Sequence, residues 1–244
     1  MRKFRFLILP LIIIATFCLN SCEIEPLDPA LIKTNPIPGT GTTTGDYWPT
    51  AIDNQWVFKI DGVLQNPMKM ISINTISANT YYTFNQQSGN GLGFTVSGIQ
   101  RLRKSNGDYY IKMENLSSPA QGIIPGFTMT GYETIILKDY IPVGGTWTDK
   151  YSQTTTYSDP NFPVVALDFD IVATVMEKNS SITIAGHKYT DVIKIKYIQN
   201  VTMIGQTSTV TSYYWYSKNV GPIKMTSDSG GQTTVQELDS YIVK

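Results

Sequence analysis

The sequence predicts an all-β fold: one large antiparallel, strongly curved sheet, half-barrel or barrel-like, with a β-sandwich as the alternative. Three observations predict it. From Asp46 onward apolar and polar residues alternate with a period of two. Val165, Leu167, Phe169, Ile171, Ala173 and Val175 set against Ala166, Asp168, Asp170, Val172, Thr174 and Met176 are the longest case. Asp61-Gly62, Asn90-Gly91, Asn106-Gly107 and Gly230-Gly231 punctuate the alternation, each able to supply the positive φ of a tight hairpin. No segment sustains helical spacing. About a dozen strands joined by hairpins must curl or close, because a flat open sheet of that size exposes two long edges.

The chain divides into residues 1–21, 22–45 and 46–244. Arg2, Lys3 and Arg5 form a positive start, and Phe6 to Phe17 is an apolar run broken only by Pro10 and Thr16. That run has the length of a signal-peptide core and is too short to span a bilayer as a helix. It leads into Leu19-Asn20-Ser21-Cys22, which resembles the lipobox of bacterial lipoproteins, although Asn20 stands where a small residue is more usual. The resemblance implies removal of residues 1–21, a diacylglyceryl group on the Cys22 thiol and further acylation of the new N-terminus. At about 0.8 kcal/mol per buried CH₂, two or three chains make such an anchor in effect permanent.

Of the two cysteines, Cys18 falls in the removed segment and Cys22 carries lipid, which leaves the 46–244 domain without a thiol, disulfide or cysteine ligand. Its stability must come from an ordinary core. Removing residues 1–21 takes away three of the 19 basic residues and none of the 19 acidic ones, for a net charge of −3. With no basic surplus to neutralise phosphates, nucleic acid is excluded as a partner.

Residues 23–45 hold Pro26, Pro29, Pro36 and Pro38 and then Gly39-Thr40-Gly41-Thr42-Thr43-Thr44-Gly45, the composition of a linker. As a flexible coil it reaches on the order of 25 Å. Glu23 and Glu25, just after the lipidated position, resemble the acidic export signal of Bacteroidota surface lipoproteins as a partial match. The expected location is therefore the outer membrane, at its periplasmic face or at the cell surface.

Within 46–244 the expected strands are 55–60, 68–76, 80–85, 94–104, 109–115, 129–137, 146–157, 165–176, 181–184, 188–199, 207–217, 223–227 and 233–243. Trp56 and Trp147 each open a β-patterned stretch a few residues after a proline, Pro49 and Pro142. Both are read as core residues set beside a turn. Lys218-Asn219-Val220-Gly221 is a turn by its Asn and Gly. Pro222, lacking a ladder donor, is expected at an edge or just after a bend. The proline-to-tryptophan openings, Gly145-Thr146-Trp147 and the closing Tyr214-Trp215-Tyr216 to Lys224 segment resemble bacterial lipoproteins of uncharacterised role, similar to the half-barrel of the periplasmic lipoprotein carriers. The resemblance implies an apolar concave face.

Candidate chemistry is sparse. His187 is the only histidine, which cannot build a multi-histidine zinc site and has no Gly-x-Ser-x-Gly companion; it reads as a solvent-facing turn residue. Asp168 and Asp170 share one strand face, an arrangement open to glycosidase carboxylates, but they sit opposite a long apolar face and read as a solvated outer wall. Asp159-Pro160-Asn161 lies close enough in sequence to join them around calcium, yet forms no EF-hand loop. Arg101, Arg103, Lys104 and Lys112 cluster across the Asn106-Gly107 hairpin, as a site for lipid headgroups or acidic glycans or as a charged face that discourages edge pairing. Fifteen tyrosines include the pairs Tyr81-Tyr82, Tyr109-Tyr110 and Tyr213-Tyr214, each placing one ring on each face of a strand.

The expected protein is thus a monomeric, membrane-anchored envelope lipoprotein, non-enzymatic and without cofactor or metal. The leading expectation is an apolar or lipid-like ligand held by the curved sheet. A glycan- or protein-binding surface module and a carboxylate-dependent hydrolase are the alternatives. Candidate ligand-binding residues are Tyr82, Tyr110, Tyr214, Trp215, Tyr216, Arg101 and Arg103, with Cys22 the site of lipidation.

Overall fold

The computed structural model describes residues 41–91 and 94–244, and their side chains except those of 87–95. Cys22, the leading segment and the proline-rich half of the linker lie outside the described residues. Fifteen strands follow in order: β1 (Gln55–Ile60), β2 (Val63–Leu64), β3 (Met68–Ile76), β4 (Asn79–Phe84), β5 (Gln87–Gly91), β6 (Phe94–Ser105), β7 (Asp108–Ser118), β8 (Phe127–Met129), β9 (Tyr132–Lys138), β10 (Thr146–Tyr157), β11 (Val165–Ile184), β12 (His187–Met203), β13 (Gln206–Ser217), β14 (Gly221–Ser229) and β15 (Gln232–Ile242). Among the described residues there is no helix.

The sheet closes. The path β6-β4-β3-β1-β15-β14-β13-β12-β11-β10-β8-β7 returns to β6 through the β6–β7 ladder, giving a twelve-stranded antiparallel barrel. Strand β5 pairs outside it on β6, β9 lies on β7, and the two-residue β2 folds back onto β1. Closure removes the long edges that a flat sheet would leave. It also leaves no edge at Pro222, which takes the other expected placement, just after the bend at 218–221. That residue lies opposite Tyr216 at a bulge in the β13–β14 ladder, where the register shift tolerates its missing N–H.

Two strands differ from their expected bounds for local reasons. The expected strands at 165–176 and 181–184 are one strand of 20 residues, because three register shifts between Val175 and Ile182 reset the alternation without ending the pairing with β12. The expected strand 129–137 is instead split into β8 and β9 at Thr130-Gly131. At Gly131 a Cβ would lie 2.4 Å from the Met113 carbonyl oxygen. The gap is bridged along β10: Thr130 N–H donates to Thr154 O (3.0 Å), Thr154 N–H donates to Thr130 Oγ1 (2.8 Å), and the Gln153 amide donates to Thr130 O (3.1 Å). Farther on, Asp149 holds β9 against β10 by accepting from Ile135 N–H (2.8 Å) and Thr134 Oγ1 (2.9 Å).

One end of the barrel is filled. Inward-facing Trp56, Met70, Phe84, Leu102, Leu137, Trp147, Val175, Ile195, Ile223 and Leu238 are all buried there, so both tryptophans do core duty. The end of the linker forms a strap across this end. Thr43 Oγ1 donates to Asp139 Oδ2 (2.6 Å), Thr44 N–H to Asp139 Oδ1 (3.0 Å), and the Tyr109 hydroxyl to the Gly45 carbonyl (3.0 Å). Tyr47 and Trp48 then enter the core. Among the described residues, Gly41 also lies against the Tyr140 ring. Burial pushes the Asp139 carboxyl up, against the pull of its hydrogen bonds from Thr43, Thr44 and Tyr109.

The turn at residues 218–221 is as read: Asn219 has φ 58° and Gly221 φ 111°. At Gly221 a Cβ would meet Trp56 Nε1 at 3.0 Å, on a backbone that L-residues rarely adopt. Gly221→Ala should therefore cost roughly 1–3 kcal/mol, read as a lowered denaturant midpoint. A midpoint matching the parent chain would show that the turn relaxes freely.

Candidate functional site in the barrel lumen

Cross-strand partners share a face, so the ladders identify the inner wall. One row runs Val175, Ile195, Tyr214, Met225, Gln236 and Ile60; a second runs Ala173, Tyr197, Ser212, Ser227 and Thr234; a third runs Phe169, Val201 and Ser208. Burial along these rows divides the barrel. Toward the strapped end the inward side chains are buried, whereas Ile60, Leu167, Phe169, Val201, Met203, Val210 and Met225 keep part of their surface exposed. Inward apolar side chains that keep part of their surface exposed are not covered by other side chains, so the half of the barrel away from the strap is less filled and forms the lumen.

Its wall has two characters. On β9, β10 and β11 the rings of Tyr132, Tyr151 and Phe169 stack in sequence, with centroids 4.2 Å and 4.5 Å apart and interplanar angles of 5° and 16°. Tyr197 and Tyr214 continue the aromatic wall edge to face at 5.8 Å. Polar groups are anchored between the rings: Gln199 Nε2 donates to the Tyr151 hydroxyl (3.0 Å), and Tyr197 Oη meets Thr134 Oγ1 at 3.1 Å. Beside Tyr197 on the next two strands, Ser212 Oγ donates to Ser227 Oγ (3.0 Å). Burial pushes the Tyr151 and Tyr197 hydroxyls far up, and the Tyr132 and Tyr214 hydroxyls upward as well. These phenols stay neutral at physiological pH, as hydrogen-bonding groups in an uncharged wall.

The candidate residues named from sequence do not converge. Tyr82 and Tyr214 face inward, each half-buried, while Tyr216 faces inward but is buried in the filled end. Tyr110 and Trp215 stand on the outer wall: the Arg103 guanidinium lies 3.6 Å from the Tyr110 ring centroid, and the Lys194 and Lys224 ammonium groups lie 5.2 Å and 5.9 Å from that of Trp215. Burial, with Asp108 second, pushes the Tyr110 hydroxyl up to about 12. Arg101 pairs with Glu114 (2.6 Å) and Arg103 with Glu133 (2.9 Å). Lys112 shares Glu114 (2.6 Å), and Lys104 turns in to Asp46 (2.9 Å). Each cation of that cluster therefore already has its acid.

Asp168 and Asp170 are exposed on the outer face of β11, where Ser152 Oγ donates to Asp168. Asp159 closes an Asx turn, accepting from Asn161 N–H and Nδ2 (2.9 and 2.8 Å). His187 is exposed at the start of β12, beside a shallow polar groove of about 240 Å³ that also involves Lys188, Lys218 and Tyr241. Among the described residues no three His, Cys, Asp or Glu side chains gather as metal ligands.

The residues that sequence reading passed over, Tyr132, Tyr151, Phe169 and Tyr197, carry a detectable signal only once strands are paired. Tyr151 and Phe169 sit on inward phases of neighbouring strands, and their register makes them direct partners.

No protein-family model matches the sequence, and no curated protein matches it. Two solved structures resemble the fold. A candidate exported protein with a YmcC-like fold from Bacteroides fragilis is 14% identical, with a TM-score of 0.49 over 81% of this chain and 99% of its own. A candidate lipoprotein from Parabacteroides distasonis is 17% identical, with a TM-score of 0.56 over 81% of this chain and 99% of its own. At that identity the likeness is one of architecture, and this chain is similar in fold to the Parabacteroides protein.

Proposed function

We propose that this protein is a monomeric, lipid-anchored envelope protein that holds an apolar, lipid-like ligand in the open half of its barrel, without catalysing a reaction. The observation that carries the reading is the part-exposed inward face formed by Leu167, Phe169, Val201, Val210 and Met225. Exposed apolar wall inside a barrel is stabilised when an apolar guest displaces its water. The stacked rings favour the same guest. Tyr151 spends both faces on Tyr132 and Phe169, which spend one face each on it, and a sugar ring needs a free aromatic face to lie on. The outer rings of Tyr110 and Trp215 are likewise overlaid by cations, which weakens a glycan-binding surface. The Cys22 lipobox and the fold shared with a candidate lipoprotein support the envelope location.

Native mass spectrometry of residues 23–244, produced without the acylated cysteine, tests the reading. Non-covalent acyl-chain adducts are expected, and Val210→Trp, which projects a large ring into the lumen, should abolish them while leaving the β-sheet circular dichroism unchanged. A protein that stays ligand-free after incubation with envelope lipids would sink the proposal.

A further inference from the structure

The open rim of the barrel is built in a way that its own stability does not explain. Every other tight turn of the described chain that uses a non-glycine residue at positive φ places a small or polar one there: Asp61, Ser77, Ala78, Asn106, Ala185 and Asn219. The β12–β13 hairpin instead places Ile204 there, at φ 49°. A β-branched side chain is strained in that conformation, and Asn-Gly is the favoured pair for such a turn. The isoleucine gains no burial in return, since it is 78% exposed.

Ile204 has neighbours of the same kind. Val164, in the β10–β11 connection, is 61% exposed, and Ile123, in the β7–β8 connection, is 83% exposed. The ladders place the three side by side on the rim: Leu167 pairs with Met203, Thr155 with Val165, and Ser118 with Phe127. The three connections, 119–126, 158–164 and 204–205, contain no lysine or arginine; their one charge is Asp159. Asp168 and Asp170 stand exposed on the wall behind them. Asp170 stands opposite the exposed Lys150, and the tips themselves offer no cation to an anionic membrane or a phosphate-rich partner. Apolar tips without basic residues are complementary to a zwitterionic lipid surface.

We infer that the rim formed by Ile123, Val164 and Ile204 docks the mouth of the barrel onto a zwitterionic lipid surface, the exposed tips entering the boundary between headgroups and acyl chains. This goes beyond the ligand-binding reading and stands without it, since it concerns the rim and not the lumen.

The test uses the full chain with a fluorophore at Gln206→Cys, beside Ile204, and in a second preparation at His187→Cys, at the strapped end; the unsubstituted chain is the labelling blank. Each is mixed with zwitterionic vesicles carrying a nitroxide quencher in the acyl region. The strap ties the anchor side of the chain to the strapped end, so an anchor alone would bring residue 187 nearer the lipid. Docking predicts the opposite: strong quenching at 206, weak quenching at 187, and weaker quenching at 206 when anionic lipid is added. Ile204→Asn should raise the denaturation midpoint, because Asn suits the turn, and at the same time abolish the quenching at 206. Equal or absent quenching at the two positions would overturn the inference. So would a dye at 206 that is shielded by unlabelled protein without vesicles, which would mean that the rim meets a second copy.

Discussion

Lys138→Met should destabilise the barrel by about 3–5 kcal/mol, one of the two largest losses expected from any single substitution in this chain. Lys138 and Asp108 are 1% and 0% exposed, with Lys138 Nζ donating to both carboxylate oxygens at 3.0 and 2.9 Å and to the Tyr140 hydroxyl at 3.3 Å. The pair joins β7 to β9 in register, Asp108 opposite Lys138, at the filled end of the barrel. Two ions taken from water give up most of their attraction to desolvation, so the intact pair contributes little net stability. Removing one ion is different, because the other keeps the burial and loses its counter-charge. Chemical denaturation should therefore place Lys138→Met far below the parent and the double variant Asp108→Leu/Lys138→Met well above it. A single variant as stable as the parent would show that water reaches Asp108.

The contrast between this pair and the Arg101–Arg103 cluster explains what the sequence could and could not convey. Arg101, Arg103, Lys104 and Lys112 are visible as a basic cluster because they lie close in the chain. Their acids, Glu114, Glu133 and Asp46, are brought to them by pairing across β6, β7 and β9 and by the strap. Asp108 and Lys138, 30 residues apart, give no local sign of being a pair. The strand pattern was far more legible: β1, β3 and β10 have the bounds that alternation predicts, β10 as an unbroken ladder on β11 and β1 and β3 in spite of one register shift each. Alternation failed where backbone geometry, not residue type, sets the phase, at the bulges of β11 and the break before Gly131. Strand β5 escaped notice for another reason: Gln87-Ser88-Gly89-Asn90-Gly91 has no apolar alternation, and its Asn90-Gly91 reads as a turn although both residues pair with β6. The lumen was half legible. That a curved sheet would present an apolar inner face follows from the pattern of 165–175, but the depth to which that face is filled depends on the strap and on ring stacking across strands.

Trp56→Ala should cost about 3–5 kcal/mol, comparable to the loss of Lys138, and the comparison with Phe169→Ala carries more weight than either value. Trp56 is fully buried at the start of β1, edge-on to Trp48 and Phe84 with ring centroids 6.2 Å away in each case, and its Nε1 donates to the Val220 carbonyl at 2.7 Å. One side chain thus ties together the strap, the first strand and the β13–β14 turn. Its removal opens a cavity that the closed ring cannot collapse and leaves the Val220 carbonyl without that bond, so the strap should become sensitive to limited proteolysis. Trp56→Phe, which keeps most of the volume, should recover part of the stability but not the hydrogen bond. Phe169 is of similar chemistry but faces the open lumen, half-buried, against one neighbouring ring. Deleting a ring that already borders open space creates little new cavity, so Phe169→Ala should cost well under half as much in the ligand-free protein. Equal losses at the two positions, measured side by side by denaturation, would mean that the barrel is packed along its whole length, and an apolar guest would have no room to enter.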